Sequence, residues 1–294
     1  MIGNILRRIE MMAMFVFTVF ALAVSARAAT TPQLAPVRIS GERRINFDAN
    51  WRFYKGDAEG AEKPGFDDSD WRLLRLPHDW AIEGPFDEKL NPSTGALPIS
   101  GTGWYRKSFI LPAEARGRIF TIVFDGAMSN STVWINGKEL GGRPYGYSSF
   151  FFDLTPHLHF GSEANVVAVR LAPEPDSSRW YPGAGIYRNV RMDVTAPVHV
   201  VEWGTYVTTP QVSDDNATVS VKTEVRNQSR NEVKVEVRQT VLDASGKPVS
   251  KGSAGRLAIS AGATRTIPAS LKVTNPQRWD MDNPYLYKIG RAHV

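Results

Sequence analysis

Thr132-Val133-Trp134-Ile135-Asn136-Gly137 sets the reading of this chain. β-Branched and aromatic residues run straight into Asn-Gly, the pair that favours a two-residue type I′ turn because both central positions need φ above zero. A tight hairpin is predicted there. Upstream, Gly117-Arg118 precedes Ile119-Phe120-Thr121-Ile122-Val123-Phe124, a run suited to a strand covered on both faces. Downstream, Asn165 to Leu171 reads as another interior strand, and Val190 to Val194 alternates with period two. Over residues 41–196, short strands separated by Gly, Pro and Asn, with almost no helical periodicity after Ile45, indicate a sandwich or a jelly roll.

Near Ala196-Pro197 the texture changes: aromatics thin out and strict alternation takes over. Val219, Val221, Thr223 and Val225 form one stripe, Val233, Val235 and Val237 a second, and Ile267, Ala269, Leu271 and Val273 a third. Asn227-Gln228-Ser229 and Asp243-Ala244-Ser245-Gly246 supply turns between them. Each such strand has one buried and one wet face. Residues 197–288, in about seven strands, fit an immunoglobulin-like sandwich without the disulfide of antibody domains.

The chain has 294 residues, 42% apolar and 22% charged, with 14 Phe, 9 Tyr and 8 Trp. That composition is too apolar for a long disordered tract and leaves room for two folded domains. Net charge is +5, of which Arg7, Arg8 and Arg27 against Glu10 account for +2 before residue 29. The remaining +3 is scattered among acids with no basic run, which argues against a nucleic-acid partner. There is no cysteine, so disulfides, Cys-ligated zinc and thiol catalysis are excluded within this stretch.

Residues 1–28 read as an export signal: Arg7 and Arg8 precede the apolar run Met11 to Val24, and Ala26-Arg27-Ala28 offers small residues at a cleavage site. The apolar run falls short of the roughly 20 residues of a membrane span, so no span is expected in the mature chain. Export places the protein in a periplasm or outside the cell. Residues 29–40, with Pro32 and Pro36, read as a linker. At the other end, Tyr285-Leu286-Tyr287-Lys288 begins a strand that Gly290-Arg291 is expected to break. Residues 289–294, Ile-Gly-Arg-Ala-His-Val, match one frame of a sequencing adapter, so a non-native tail is expected, with the natural protein continuing past residue 288.

Five segments carry a resemblance. They are Phe66-Asp67-Asp68-Ser69-Asp70-Trp71 with Leu76-Pro77-His78-Asp79-Trp80; Gly101-Thr102-Gly103-Trp104-Tyr105-Arg106-Lys107-Ser108-Phe109; Phe124-Asp125-Gly126-Ala127 with Val133-Trp134-Ile135-Asn136-Gly137 and Gly146-Tyr147; Ser178-Arg179-Trp180-Tyr181-Pro182-Gly183-Ala184-Gly185-Ile186-Tyr187-Arg188; and Trp279-Asp280-Met281-Asp282-Asn283-Pro284-Tyr285-Leu286-Tyr287. In that order and spacing they resemble the leading domains of family 2 glycoside hydrolases, in particular bacterial β-galactosidases. The resemblance implies an all-β pair, a galactose-binding-like jelly roll followed by an immunoglobulin-like sandwich. It also implies a (β/α)₈ barrel, which takes about 250 residues and for which this chain has no room.

In the family, two barrel glutamates flank the glycosidic bond about 5 Å apart, as a retaining mechanism requires. No acidic residue of this chain sits in a family catalytic motif, so no catalytic residue is assigned and the chain alone is expected to be inactive. The resemblance implies instead one wall of a sugar pocket. Asp176, or else Ser177 or Ser178, matches the position that hydrogen-bonds a terminal galactose, and a carboxylate can accept two hydroxyls with charge assistance. Capping a turn after Pro175 is the other reading of Asp176. Arg179 would orient Asp176, and Trp180 would offer an apolar face to a sugar ring, although packing is favoured for Trp180. The long loop Pro85 to Ser100 carries Asn91, a further candidate sugar contact.

The other features read as structural. Trp51, Trp71, Trp80, Trp104 and Trp134 are expected to fill the jelly-roll core. His78, His157, His159, His199 and His293 show no metal-ligand spacing beyond the pair His157 and His159, and neither metal nor cofactor is expected. The expected partners are a carbohydrate, a β-galactoside above others, and the barrel in the same polypeptide. β-Glucuronidases and β-mannosidases share the two leading domains, and a stand-alone carbohydrate-binding module or a sandwich-built adhesion protein would satisfy the fold.

Overall fold

The computed structural model describes residues 36–39 and 44–291; the signal segment, most of the linker and residues 292–294 lie outside the described residues. Ten strands build the first sandwich. One sheet runs β3 (Arg72–Leu74), β2 (Trp51–Lys55), β4 (Gly103–Ile110), β9 (Ala164–Leu171), β6 (Ser131–Ile135) and β7 (Lys138–Arg143), with all neighbours antiparallel. The facing sheet runs β1 (Arg44–Asn46), β10 (Val190–Thr195), β5 (Ile119–Phe124) and β8 (Phe150–Asp153). The β6–β7 hairpin forms where Asn136-Gly137 predicts it: φ is +50° at Asn136 and +80° at Gly137, and Ile135 pairs with Lys138.

Between the sheets lies an aromatic core that includes Phe47, Trp51, Trp80, Tyr105, Phe120 and Phe124, all fully buried. Burial of each such side chain is worth roughly 1.5–3 kcal/mol. The indole N–H of Trp51 donates to the Phe47 carbonyl at 2.9 Å, so its one polar atom is satisfied inside. Three of the five tryptophans assigned to this core are elsewhere. Trp71, Trp104 and Trp134 join Ala61 and Ala168 in a separate cluster. On β4, Trp104 alternates with the core-facing Tyr105 and so points to the opposite, outer face of the six-stranded sheet, where residues 57–68 cover it.

Polar clasps fasten the motif segments to one another. The buried guanidinium of Arg106 donates to the Asp68 carboxylate at 2.8 Å and to the carbonyls of Ala61 and Lys63, pinning the 61–68 loop to β4. Asp48, also buried, accepts from the amides of Asn46 and Asn189 and from the Val190 backbone at 2.7–2.8 Å. Residues 36–39 are not a free linker: Pro36 bridges to Ile110, the Val37 N–H donates to the Ile110 carbonyl at 2.8 Å, and Val37 and Ile39 pack on the core.

The second sandwich comprises β11 (Val198–Val212), β12 (Asn216–Asn227) and β15 (Thr264–Thr274) facing β14 (Pro248–Ile259), β13 (Val233–Leu242) and β16 (Lys288–Arg291). Six strands are thus formed among the described residues, against the seven expected. Gly290-Arg291 does not break the last one: β16 pairs with β13 from Lys288↔Leu242 to Arg291↔Gln239, and Ile289 packs against the Val219 and Val241 cluster. The predicted stripes are inside, with every second residue of β12 from Ala217 to Asn227 buried. Thr223 and Gln239 occupy stripe positions and meet in the interior, where the Gln239 amide donates to the Thr223 hydroxyl at 2.9 Å. This pair divides the interior into two small aliphatic clusters.

Charged contacts tie the two sandwiches together. Arg191 of β10 pairs with Asp125 at 2.8 Å and with Glu202 of β11 at 2.7 Å, while Asp193 lies buried beside it. Burial, with Glu202 as neighbour, pushes the Asp193 carboxyl up to about 6. No helix among the described residues is long and apolar enough to cross a membrane.

Candidate functional site

Two loops at the ends of strands of the six-stranded sheet converge on one place. The β3–β4 connection carries Asn91, and the β9–β10 connection carries residues 172–189. Asn91 caps a 3₁₀ turn over Pro92–Thr94: its Oδ1 accepts from the Ser93 N–H at 2.9 Å, and its carbonyl accepts from the Thr94 hydroxyl and the Ala96 N–H. With the acceptor so engaged, the amide nitrogen faces outward. It donates to Asp176 Oδ1 at 2.7 Å across a sequence separation of 85 residues. Two candidate sugar contacts are therefore bonded to each other.

Asp176 sits in a turn with φ at +55° and is exposed; both the turn reading and a solvent-facing carboxylate hold for it. Its second oxygen makes no hydrogen bond among the described residues and is available as an acceptor. Arg179, expected to orient Asp176, is exposed and makes no hydrogen bond or ion pair among the described residues; Asn91 supplies that orientation instead. Ser177 is exposed, and Ser178 turns its hydroxyl onto the Trp180 carbonyl at 2.6 Å.

Trp180 is not packed into the core. It remains 59% exposed, with its indole N–H donated to the Tyr147 hydroxyl at 2.7 Å. An indole held at its polar edge presents its faces in a fixed direction. Tyr145, Tyr147, Glu174, Ser177, Ser178 and Trp180 line an open cleft of about 380 Å³ beside it. Tyr147 belongs to the Gly146-Tyr147 motif pair, but nothing local in the sequence relates it to Trp180, 33 residues later.

The loop is braced from behind by Asp79. Its carboxylate accepts from the Ala81 and Ala184 N–H groups, each at 2.9 Å, and from the Tyr181 hydroxyl at 2.6 Å. Burial and the Asp79 carboxylate push the Tyr181 phenol well above its ordinary value, keeping it a donor. Gly183 fits tightly there, since a Cβ would stand 3.0 Å from Asp79 Oδ2, and its φ of +81° suits glycine. An acceptor carboxylate, a bonded amide and an apolar ring face are what a hydroxyl-bearing ligand with C–H faces needs. His157 and His159 contribute nothing there; His159 pairs with Glu163 at 2.8 Å.

Comparison with known proteins places this geometry in context. Residues 91–197 match the family described as "Glycosyl hydrolases family 2, sugar binding domain", and residues 198–290 match "Glycosyl hydrolases family 2". "Beta-galactosidase BoGH2A" of Bacteroides ovatus is 48% identical over 255 residues, covering 85% of this chain and 30% of that protein. A "Putative beta-glucuronidase" of Formosa agariphila is 35% identical over 244 residues, covering 83% and 23%. Among solved structures, a glycosyl hydrolase family 2 member from Bacteroides cellulosilyticus superposes with a TM-score of 0.77 at 36% identity, covering 85% of this chain and 34% of that one. The chain thus spans about a third or less of the length of these relatives.

Proposed function

Because the chain belongs to glycoside hydrolase family 2, we propose that it is the amino-terminal sandwich pair of a longer, exported glycosidase acting on terminal β-galactosides. In this reading the Asn91–Asp176 pair and Trp180 form one wall of the sugar pocket, and the bond-breaking carboxyl pair resides in a barrel beyond this chain, working by a retaining mechanism. The observation that carries the reading is the 2.7 Å bond between Asn91 and Asp176, which fixes one carboxylate oxygen and leaves the other to accept a sugar hydroxyl. The β-galactoside preference rests on the 48% identity to the Bacteroides ovatus β-galactosidase, against 35% to the β-glucuronidase relative. A free carboxylate at Asp176 also disfavours a uronate by like-charge repulsion. Export rests on the Arg7-Arg8, Met11–Val24 and Ala26-Arg27-Ala28 pattern alone.

The test is kinetic, on the longer protein. Asp176→Ala should lower kcat/KM on a chromogenic β-galactoside by roughly tenfold to a hundredfold, the loss of one or two charge-assisted hydrogen bonds. Stability should fall by about 1 kcal/mol, because Ala tolerates the φ of +55° less well than Asp and the bond to Asn91 is lost. Unchanged kinetics would reduce Asp176 to a turn residue. The chain alone should show no turnover; hydrolysis that copurifies with it would place the chemistry in these sandwiches. A complete gene without a following barrel would favour a carbohydrate-binding module.

A further inference from the structure

The outer face of the six-stranded sheet carries a groove of about 530 Å³, within the size range of small-molecule sites. Trp104 and Trp134 form its floor, and Asp57, Glu59, Glu62 and Arg170 its walls. The two indoles stack with centroids 5.3 Å apart and planes 23° from parallel. Trp104 is buried beneath, while Trp134 stays partly open.

The walls divide into fixed and available groups. Asp57 accepts from the Trp104 indole at 2.9 Å, from Arg170 Nε and Nη2 at 3.1 and 2.8 Å, and from the Ala58 N–H at 3.1 Å. Arg170, with the Trp104 indole N–H, holds the Asp57 carboxyl well below the usual carboxylate range. Three of those four bonds fall on Asp57 Oδ1, and together they lock the floor in place; a floor ordered beforehand costs less entropy on binding. The side chains of Glu59 and Glu62 make no hydrogen bond or ion pair among the described residues. No group of three or more His, Asp or Glu side chains gathers to hold a metal among the described residues, so these carboxylates are not a cation cage.

We propose that this groove binds a neutral saccharide. The open indole takes the apolar C–H face of a pyranose ring, and Glu59 and Glu62 accept its hydroxyls in charge-assisted hydrogen bonds. Three carboxylates against one guanidinium, itself neutralised by Asp57, give the groove a negative rim that turns away a uronate.

Titrating the full chain with cellobiose, lactose and digalacturonate, read by calorimetry and tryptophan fluorescence, tests this. A neutral disaccharide should bind saturably and at least about tenfold more tightly than digalacturonate. Trp134→Ala should weaken binding about tenfold or more and Glu62→Gln about threefold. Should Trp134→Ala fail to fold, the surface change Glu62→Gln decides alone. Absence of saturable neutral-sugar binding, equal binding of digalacturonate, or insensitivity to both Trp134→Ala and Glu62→Gln would overturn the groove. Loss of binding with Asp176→Ala alone would also overturn it, while leaving the proposed function standing.

Discussion

The two sandwiches solve the same packing problem with different materials. The first fills the space between its sheets with Trp, Phe and Tyr and fastens irregular loops by the buried Arg106 and Asp48 and the half-buried Asp79. The second uses Val, Ile and Leu from long, regular strands and divides its interior with the Thr223–Gln239 bond. Large aromatics let a sandwich carry long loops between short strands, because a few residues supply most of the buried area. An aliphatic stripe supplies little per residue and needs uninterrupted alternation. The candidate site accordingly lies on the loops of the first sandwich, braced from its core.

The contrast can be broken hardest at Trp51. Trp51→Ala leaves an aromatic-sized void and removes one of the two donors to the Phe47 carbonyl, the other being Lys107 Nζ, and should cost about 4 kcal/mol. Calorimetry should show the loss in a transition assigned to the first sandwich, with the second nearly unmoved; equal depression of both would mean one cooperative unit. The second sandwich should respond oppositely at its polar divide. Gln239 Oε1 is buried without a hydrogen-bond partner among the described residues, so Thr223→Val combined with Gln239→Met should stabilise by about 1 kcal/mol, as apolar pairs of similar shape do. Denaturant midpoints decide, and a loss of stability would show that the divide is required.

The smallest expected effect is at the seam. The Asp193 carboxyl titrates near 3.8 when unfolded and is pushed up to about 6 in the folded chain, so the native state holds this proton more tightly. Its contribution to stability is therefore complete below the unfolded value and is lost as pH rises through about 6. Asp193→Asn should flatten that part of the stability profile between about pH 4 and pH 7. Parallel profiles for the two proteins would remove Asp193 as the titrating group.

Much of the fold was legible in residue order. Asn136-Gly137 specified its turn through φ preferences that act within two residues, and the stripes at 217–225 and 233–241 specified buried faces through a period of two. The same alternation placed Trp104 opposite Tyr105 but could not say that the outer face would be covered as well, which is why Trp71, Trp104 and Trp134 were assigned to the wrong layer. Of the candidate site, Asp176, Asn91 and Trp180 could be named from the sequence as candidates. Their arrangement was not: the partner of Asp176 is Asn91, 85 residues earlier, rather than the adjacent Arg179.

By itself, then, the sequence determined strand and turn, because dihedral preference and hydrophobic period are written in neighbouring residues. Only tertiary structure decided that Trp180 is held out by Tyr147, that Asn91 meets Asp176, and that Thr223 and Gln239 pair inside. Those contacts exist only once the sheets have closed on each other and brought distant loops and faces to within a hydrogen bond.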